Sequence, residues 1–373
     1  MSITNDTKLI EIIKAFPAFG KYIGFHPVNN GHINDTFVIE YEDENGKTLQ
    51  YLLQRINTNV FKKPVELMEN IIGVTEFLKK KISANGGDTS RETLTVYRTK
   101  DGRSYYIAQD GGYWRLYNYV DDTYTLNEIN SAEEFYNAAK SFGNFQKLLS
   151  DYPIETLYET IPNFHNTVSR FNDFKVAVDC DAAGRKETAL PEIQFVLDRE
   201  KDCSVLTDLI AAKKIPLRVT HNDTKLNNIL FDNKTNEGIC IVDLDTVMPG
   251  LSLYDFGDSI RFGANTAAED EKDLSKVTLS LELYKAYVEG YLGAAGTSLT
   301  PNEIKYLSFS AKLLTLECGM RFLGDYLNGD TYFKIDYPDH NLVRARTQLK
   351  LVKEIEDHFD EMEEIVKEAQ KNI

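Results

Sequence analysis

The residue types most capable of chemistry gather in one stretch, His221-Asn-Asp-Thr-Lys-Leu-Asn-Asn228, followed by Asp243-Leu-Asp245. An aspartate with an asparagine five residues later is the arrangement that handles a phosphoryl acceptor and a metal together. The Asp223 carboxylate would take the proton of an attacking hydroxyl while the Asn228 amide oxygen binds Mg²⁺. Asp243 would supply the hard anionic oxygen that such a cation requires. Each residue alone also has an ordinary explanation. Asp and Asn are frequent in turns because their side chains bond nearby backbone groups, and His221 could simply brace the loop. Taken together at this spacing, the residues favour the chemical reading.

Such residues must be held at strand ends if they are to converge, and the apolar periodicity supplies the strands. Between Pro216 and Leu244 lies a short β island: Leu217–Thr220, Asn228–Phe231 and Ile239–Val242, the last two joined by the turn Asp232–Gly238. Around it the pattern is helical, with an amphipathic helix at Glu133–Leu149, another at Ile193–Ala212, and mostly helix from Leu274 onward. A charged helix at Leu349–Lys371, with alternating Lys and Glu, reads as a solvated face.

The first third is different. Thr36–Tyr41 and Leu49–Ile56 flank Asn45-Gly46, a dipeptide suited to a tight hairpin. A helix over Pro64–Ile82 follows, then strands at Leu94–Tyr97, Ser104–Ala108 and Tyr113–Val120. A β-rich front and a helical back containing a β island predict an α+β, two-lobed, protein-kinase-like fold. The expected division is a small β-rich N-lobe over 1–118, on the nucleotide-phosphate side, and a larger mainly helical C-lobe over 119–373.

Composition narrows the partners. A net charge of −16 argues against nucleic acid or an anionic membrane, whose phosphates demand a basic surface. Cys180, Cys203, Cys240 and Cys318 are widely spaced without a CxxC pair, which gives no zinc-site spacing and suits a reducing cytoplasm. The segment Met1–Phe19 lacks an apolar signal core and no long apolar run occurs, so a soluble, cytoplasmic protein is expected.

The pattern His221-x-Asp223-x₄-Asn228-Ile-Leu with Ile-Val-Asp243 resembles the aminoglycoside phosphotransferase-like (choline-kinase-like) superfamily. Its continuation, Asp243-Leu-Asp-Thr-Val-Met-Pro-Gly-Leu-Ser-Leu-Tyr-Asp-Phe-Gly-Asp258, resembles the bacterial N-acetylhexosamine 1-kinases within it. So do Asn30-Gly-His-Ile-Asn-Asp-Thr36, Leu53-Gln-Arg-Ile-Asn57, Trp114-Arg115 and Arg321-Phe-Leu-Gly-Asp-Tyr-Leu-Asn-Gly-Asp330. The resemblance implies ATP as co-substrate with Mg²⁺, and transfer to the anomeric 1-OH of an N-acetylhexosamine.

It also implies that ATP lies between the lobes beneath a loop at His26–Thr36, with Gly31 near the phosphates. Either Gln54 or Arg55 would occupy the phosphate-binding position of the third strand, and Arg55 is capable of bidentate phosphate pairing. Glu66 or Glu69 would orient it. Tyr117–Val120 would meet adenine at the lobe junction, through Asn118 and Val120. His32, Asn34, Asp245, Arg321 and Tyr332 become candidates for the sugar, Asp245 alternatively assisting the metal. Arg321 also has a structural explanation, an ion pair with Glu317 one turn earlier. Asp255-Phe-Gly superficially matches the metal-binding triplet of protein kinases, but its spacing from Asn228 assigns Asp255 to capping a helix or holding the loop. His165 is unassigned, while His340 and His358 are expected at the surface. Rival readings keep the chemistry with another acceptor, such as an amino alcohol, homoserine, methylthioribose or an aminoglycoside, or make the chain an inactive kinase-like binding protein.

Overall fold

The computed structural model describes residues 6–28 and 33–373. Gly31 and His32 lie outside the described residues. After helix α1 (Asp6–Lys14) comes a six-stranded antiparallel sheet built from β1 (Lys21–Val28), β2 (Asp35–Glu42), β3 (Thr48–Ile56), β4 (Val96–Tyr97), β5 (Tyr106–Ile107) and β6 (Tyr113–Asn118). The strands run in the order β1-β2-β3-β6-β4, with β5 also on β6. The hairpin turns at Asn45-Gly46, where Gly46 takes φ +79° and the Asp43 carboxylate accepts the N–H groups of Asn45 and Lys47, each at 2.8 Å.

β1 extends through His26, which pairs with Val38, to Val28, and β2 begins at Asp35, so both ends of the stretch expected as a loop are strand. The strands expected at Leu94–Tyr97 and Ser104–Ala108 are each reduced to a two-residue pair. A turn from Thr99 to Arg103 takes up the backbone groups between them. Helix α2 (Pro64–Ala84) starts with Pro at its first position and buries Leu67, Met68, Ile71, Val74 and Leu78 against the sheet and island.

The helical part comprises α3 (Ala132–Leu148), α4 (Thr167–Cys180), α5 (Leu190–Leu197), α6 (Glu200–Cys203), α7 (Val205–Ala211), α8 (Ser252–Gly263), α9 (Leu281–Ala295), α10 (Pro301–Lys305), α11 (Leu307–Leu327), α12 (His340–Asp357) and α13 (Phe359–Gln370). The single helix expected at Ile193–Ala212 is broken at Asp198-Arg199 and at Ser204. Asp and Ser bond locally and compete with the helical backbone; Ser204 Oγ, for instance, donates to Asp208 at 2.8 Å. The C-terminal helix likewise breaks at His358. α11 is buried on nearly every face between the two C-lobe cores. His340, expected at the surface, is buried and stacks on Tyr337 with ring centroids 4.3 Å apart.

The β island forms two small sheets. β9 (Ile229–Asp232) lies between β10 (Gly238–Ile241) and β7 (Thr123–Tyr124), and β8 (Arg218–Thr220) pairs with β11 (Met248–Gly250). Among the described residues no helix is long and apolar enough to cross a membrane.

Candidate active site

β8 delivers the chain into a loop, His221–Lys225, which a 3₁₀ turn at Leu226–Asn228 connects to β9. Asn222 adopts φ +64°, a left-handed conformation that asparagine tolerates. The loop is held from behind by Asp255 of α8, whose two carboxylate oxygens accept the N–H groups of His221 at 2.9 Å and Asn222 at 2.8 Å. Gln146 donates to the same carboxylate at 3.1 Å. Burial raises the Asp255 carboxyl pKa, and the neighbouring His221 and these hydrogen bonds offset that only in part. The His221 ring bridges the loop to the Val242 carbonyl at 2.9 Å, and its Nδ1 accepts the Asp223 N–H at 3.3 Å.

This bracing turns the Asp223 carboxylate outward, with a quarter of its side chain exposed (25%). One of its oxygens lies 2.9 Å from Lys225 Nζ and the other accepts from Asn228 Nδ2 at 3.3 Å. The same amide donates to the Asp223 carbonyl at 2.8 Å, which leaves the Asn228 Oδ1 without a partner among the described residues. Crowding by protein works against the Lys225 charge, yet Asp223 beside it holds the ammonium pKa above its ordinary value.

Asp243 follows β10 in a left-handed conformation, φ +57°. Its carboxylate opens onto solvent and has no hydrogen-bond or ion-pair partner among the described residues. The surrounding protein, then the carboxylates of Asp245 and Asp223, push its pKa up to about 6 despite Arg115 and His221. Asp223, Asn228 and Asp243 thus come together, with two hard oxygen donors unspent beside the candidate base.

Several expected contacts fall elsewhere. Residues 54 and 55 point to opposite sheet faces, as successive strand residues must. Gln54 is on the inner side, bonded to Arg115, while Arg55 pairs with Asp110 at 3.2 Å and lies 4.0 Å from Asp35. Glu69 is exposed, near Tyr158, and Met68 is the α2 residue that meets Arg115. Asn34 donates to Asp245 at 2.6 Å and accepts from the Asn57 N–H at 3.0 Å, so both ends of its amide are engaged. Asp245 is buried, with one oxygen on Arg115 and the other on Asn34, and is not presented to a substrate. The Asn118 side chain is spent on Thr95 and Ser90. The Val120 carbonyl accepts from Thr123, and among the described residues its N–H is unbonded.

The C-terminal half of α11 is joined to the loop through His165, whose Nε2 lies 3.3 Å from the Asn222 carbonyl. Glu317 does not pair with Arg321. Its oxygens take His165 Nδ1 at 2.8 Å and Thr167 Oγ1 at 2.6 Å. Arg321 instead lies over Tyr332 and Phe333, 5.8 and 5.5 Å from their ring centroids, without an ion pair among the described residues. Tyr332 is 70% exposed. The turn that carries it is organised by Asp325, which accepts the N–H groups of Thr331, Tyr332 and Phe333 at 2.8–2.9 Å.

Lys225, Arg115, His165 and Asp325 were not singled out from sequence for the places they occupy. Lys225 carried a signal, a lone cation inside the Asp223–Asn228 spacing. Arg115 and His165 act across long sequence separations, and Asp325, although it bonds backbone only six to eight residues on, has no turn signature that marks it.

A family model described as "Phosphotransferase enzyme family" (APH) matches residues 24–297. The chain belongs to this phosphotransferase family. Its architecture is the two-lobed kinase-like fold, and solved structures share it along nearly their whole length. An aminoglycoside phosphotransferase from Alicyclobacillus acidocaldarius superposes with a TM-score of 0.59 at 11% identity, covering 96% of each chain. An amicoumacin kinase in complex with AMP-PNP and Ca²⁺ gives 0.58 at 14% identity, covering 95% of this chain and 93% of that one. A choline kinase from Cryptosporidium parvum gives 0.54 at 15% identity, covering 95% and 97%. Family membership makes the chain a phosphotransferase.

Proposed function

We propose that this phosphotransferase uses ATP and Mg²⁺ to phosphorylate the anomeric 1-OH of an N-acetylhexosamine. The observation that carries the phosphotransfer is the convergence of an outward-facing Asp223 with the unspent oxygens of Asn228 and Asp243. Support for ATP comes from its fold relatives, one of them crystallised with AMP-PNP. The Val120 N–H, unbonded among the described residues, suits adenine. The motif resemblance and the unpaired Arg321 beside Tyr332 support the sugar.

In this reading Asp223 accepts the proton of the sugar hydroxyl at its carboxylate, late in a loose transition state. Asn228 fixes that carboxylate, and Lys225 beside it stabilises negative charge developing on the transferred group. Asn228 Oδ1 and the Asp243 carboxylate are oxygen donors that fit Mg²⁺, which when bound neutralises charge on the β/γ-phosphates. Arg321 and Tyr332 offer donors to hydroxyls or an acetamido carbonyl. A cytoplasmic setting fits both the ATP supply and the four free thiols.

Incubation with ATP, Mg²⁺ and GlcNAc or GalNAc, followed by ³¹P NMR, tests the reading. The expected product carries phosphorus coupled to C1, and the 1-O-methyl glycoside is not turned over. Phosphorus on C6, or turnover of the glycoside, removes the 1-kinase assignment.

A further inference from the structure

Arg115 is a cation sealed inside the molecule. It projects from β6 with its guanidinium between the sheet and the segment that follows Asp243. Nε and one terminal nitrogen meet Gln54 Oε1 of β3 at 3.1 and 2.9 Å. The other terminal nitrogen pairs with Asp245, and the two side chains are only 1% and 2% exposed. That nitrogen also touches Met68 Sδ of α2 at 4.0 Å, and the Tyr117 ring lies 5.1 Å away. The second Asp245 oxygen accepts from Asn34, where β2 begins.

A buried ion pair adds little net stability, because removing both charges from water costs about as much as their attraction returns. Its effect is better sought in what it holds still. Protein kinases align phosphates with a β3 lysine paired to a glutamate of the N-lobe helix. Here the inward β3 residue is the neutral Gln54 and the helix presents Met68. The cation comes from the neighbouring strand and its carboxylate from the far side of the cleft.

Asp245 lies two residues after Asp243, inside the 3₁₀ turn Leu244–Thr246. That turn is pinned on its other side to the candidate catalytic loop, where Asn222 Nδ2 donates to the Thr246 carbonyl at 2.8 Å and Thr246 Oγ1 donates to the His221 carbonyl at 2.6 Å. On the other side of Asp243, the Val242 N–H donates to the Asn228 carbonyl at 2.9 Å and the Val242 carbonyl meets the His221 ring at 2.9 Å, so Asp243 stands between two held segments.

We infer that Arg115 is a positioning residue: by holding Asp245 it sets the direction of the Asp243 carboxylate and so the site's use of a divalent cation. The inference rests on the proposed ATP and Mg²⁺ reading. Arg115 itself is too deeply covered to reach a phosphate.

Calorimetric titration of ATP, once with MgCl₂ and once with EDTA, separates the possibilities. The proteins are wild type, Arg115→Lys, Arg115→Met and the double variant Arg115→Met/Asp245→Leu. The double variant removes both charges together, so it keeps the fold even where Arg115→Met alone does not. For Arg115→Met and the double variant, the Mg²⁺-dependent gain in ATP affinity is expected to shrink by about 10–100-fold, the usual effect of losing an outer-shell partner. Affinity in EDTA stays unchanged, and Arg115→Lys falls between. A folded double variant with the full Mg²⁺-dependent gain overturns the inference. So does an equal loss with and without Mg²⁺, which marks a purely structural residue. Failure of the wild type to bind ATP at all overturns the kinase reading and this inference with it.

Discussion

The floor of the cleft and its proposed acceptor wall are built on opposite rules. On the floor, the backbone of the His221–Thr224 segment is tied down by Asp255, His221 and Thr224, and Asp223 is left as the outward group. On the wall, Arg321 lies over aromatic rings with its hydrogen-bonding capacity unspent, although buried groups around it, such as Glu317 and His165, are fully paired. The contrast separates two needs. Proton transfer requires a carboxylate held in place before the acceptor arrives, whereas recognition requires donors that the protein itself has not satisfied. The residue types alone, an acid on each side, would not have distinguished a brace from a working group; their partners do.

The comparison breaks most visibly at the floor. Asp223→Asn is nearly isosteric and should lower kcat by about 10²–10⁴, the usual contribution of a general base, with an unchanged melting temperature. Turnover within tenfold of wild type would falsify the assignment of Asp223 as the base.

The next contrast is between Asp255 and Asp243. Asp255→Ala strands buried N–H donors of the loop and should cost about 3 kcal/mol of stability, measured by urea unfolding. Asp243→Ala removes an exposed carboxylate without a protein partner among the described residues and should leave stability little changed, yet Mg²⁺-dependent activity should vanish. If Asp243→Ala keeps the wild-type Mg²⁺ titration while Asp255→Ala loses it, the two roles are reversed.

Sequence reasoning read the floor better than the wall or the sheet, for a physical reason. Asp223 and Asn228 lie in the short connection from β8 to β9, and Asp243 follows β10, which a short hairpin joins to β9, so their spacing encodes their convergence. Arg115 reaches Asp245 and Gln54 across long separations, and nothing local to Trp114-Arg115 marks it as a buried cation. The choice between Gln54 and Arg55 depended on which face of β3 turns inward, and a half-buried strand with intermediate residues on both sides does not announce that. His340 was misread because its apolar covering, Tyr337 and the α12 packing, comes from turns that no periodicity reports.

At the wall, Arg321→Ala should raise the acceptor KM about 10–100-fold, as expected for losing a charged hydrogen-bond donor, with the ATP KM and melting temperature nearly unchanged. Equal increases in both KM values would place Arg321 on the nucleotide side, or in the fold, and remove it from the recognition wall.

The smallest expected effect lies where the wall meets the floor. Both ring nitrogens of His165 face acceptors, the Glu317 carboxylate and the Asn222 carbonyl at 3.3 Å, so the ring satisfies both only as imidazolium. Burial and the Arg321 charge oppose that state, but Glu317 and Asp258 outweigh them and hold the His165 pKa above 6.5. Burial likewise disfavours the Glu317 carboxylate, yet His165 and Thr167 hold its pKa below 4.5. A raised histidine contributes stability that is full below its unfolded pKa and fades as pH rises through the folded value. A lowered carboxylate contributes stability that is full above its unfolded pKa and fades as pH falls through the folded value. The pair is therefore strongest between these ordinary values of 4.5 and 6.5. Replacing one partner, Glu317→Gln, should depress the melting temperature by a few degrees, on the scale of about 1 kcal/mol. That deficit should be greatest inside this window and shrink on the alkaline side, where wild-type His165 loses its proton. Melting curves of both proteins across the acid and alkaline range give the comparison directly. A deficit that does not vary with pH would mean that the pair is not ionised, and that Asn222 is held next to Asp223 without a charge behind it.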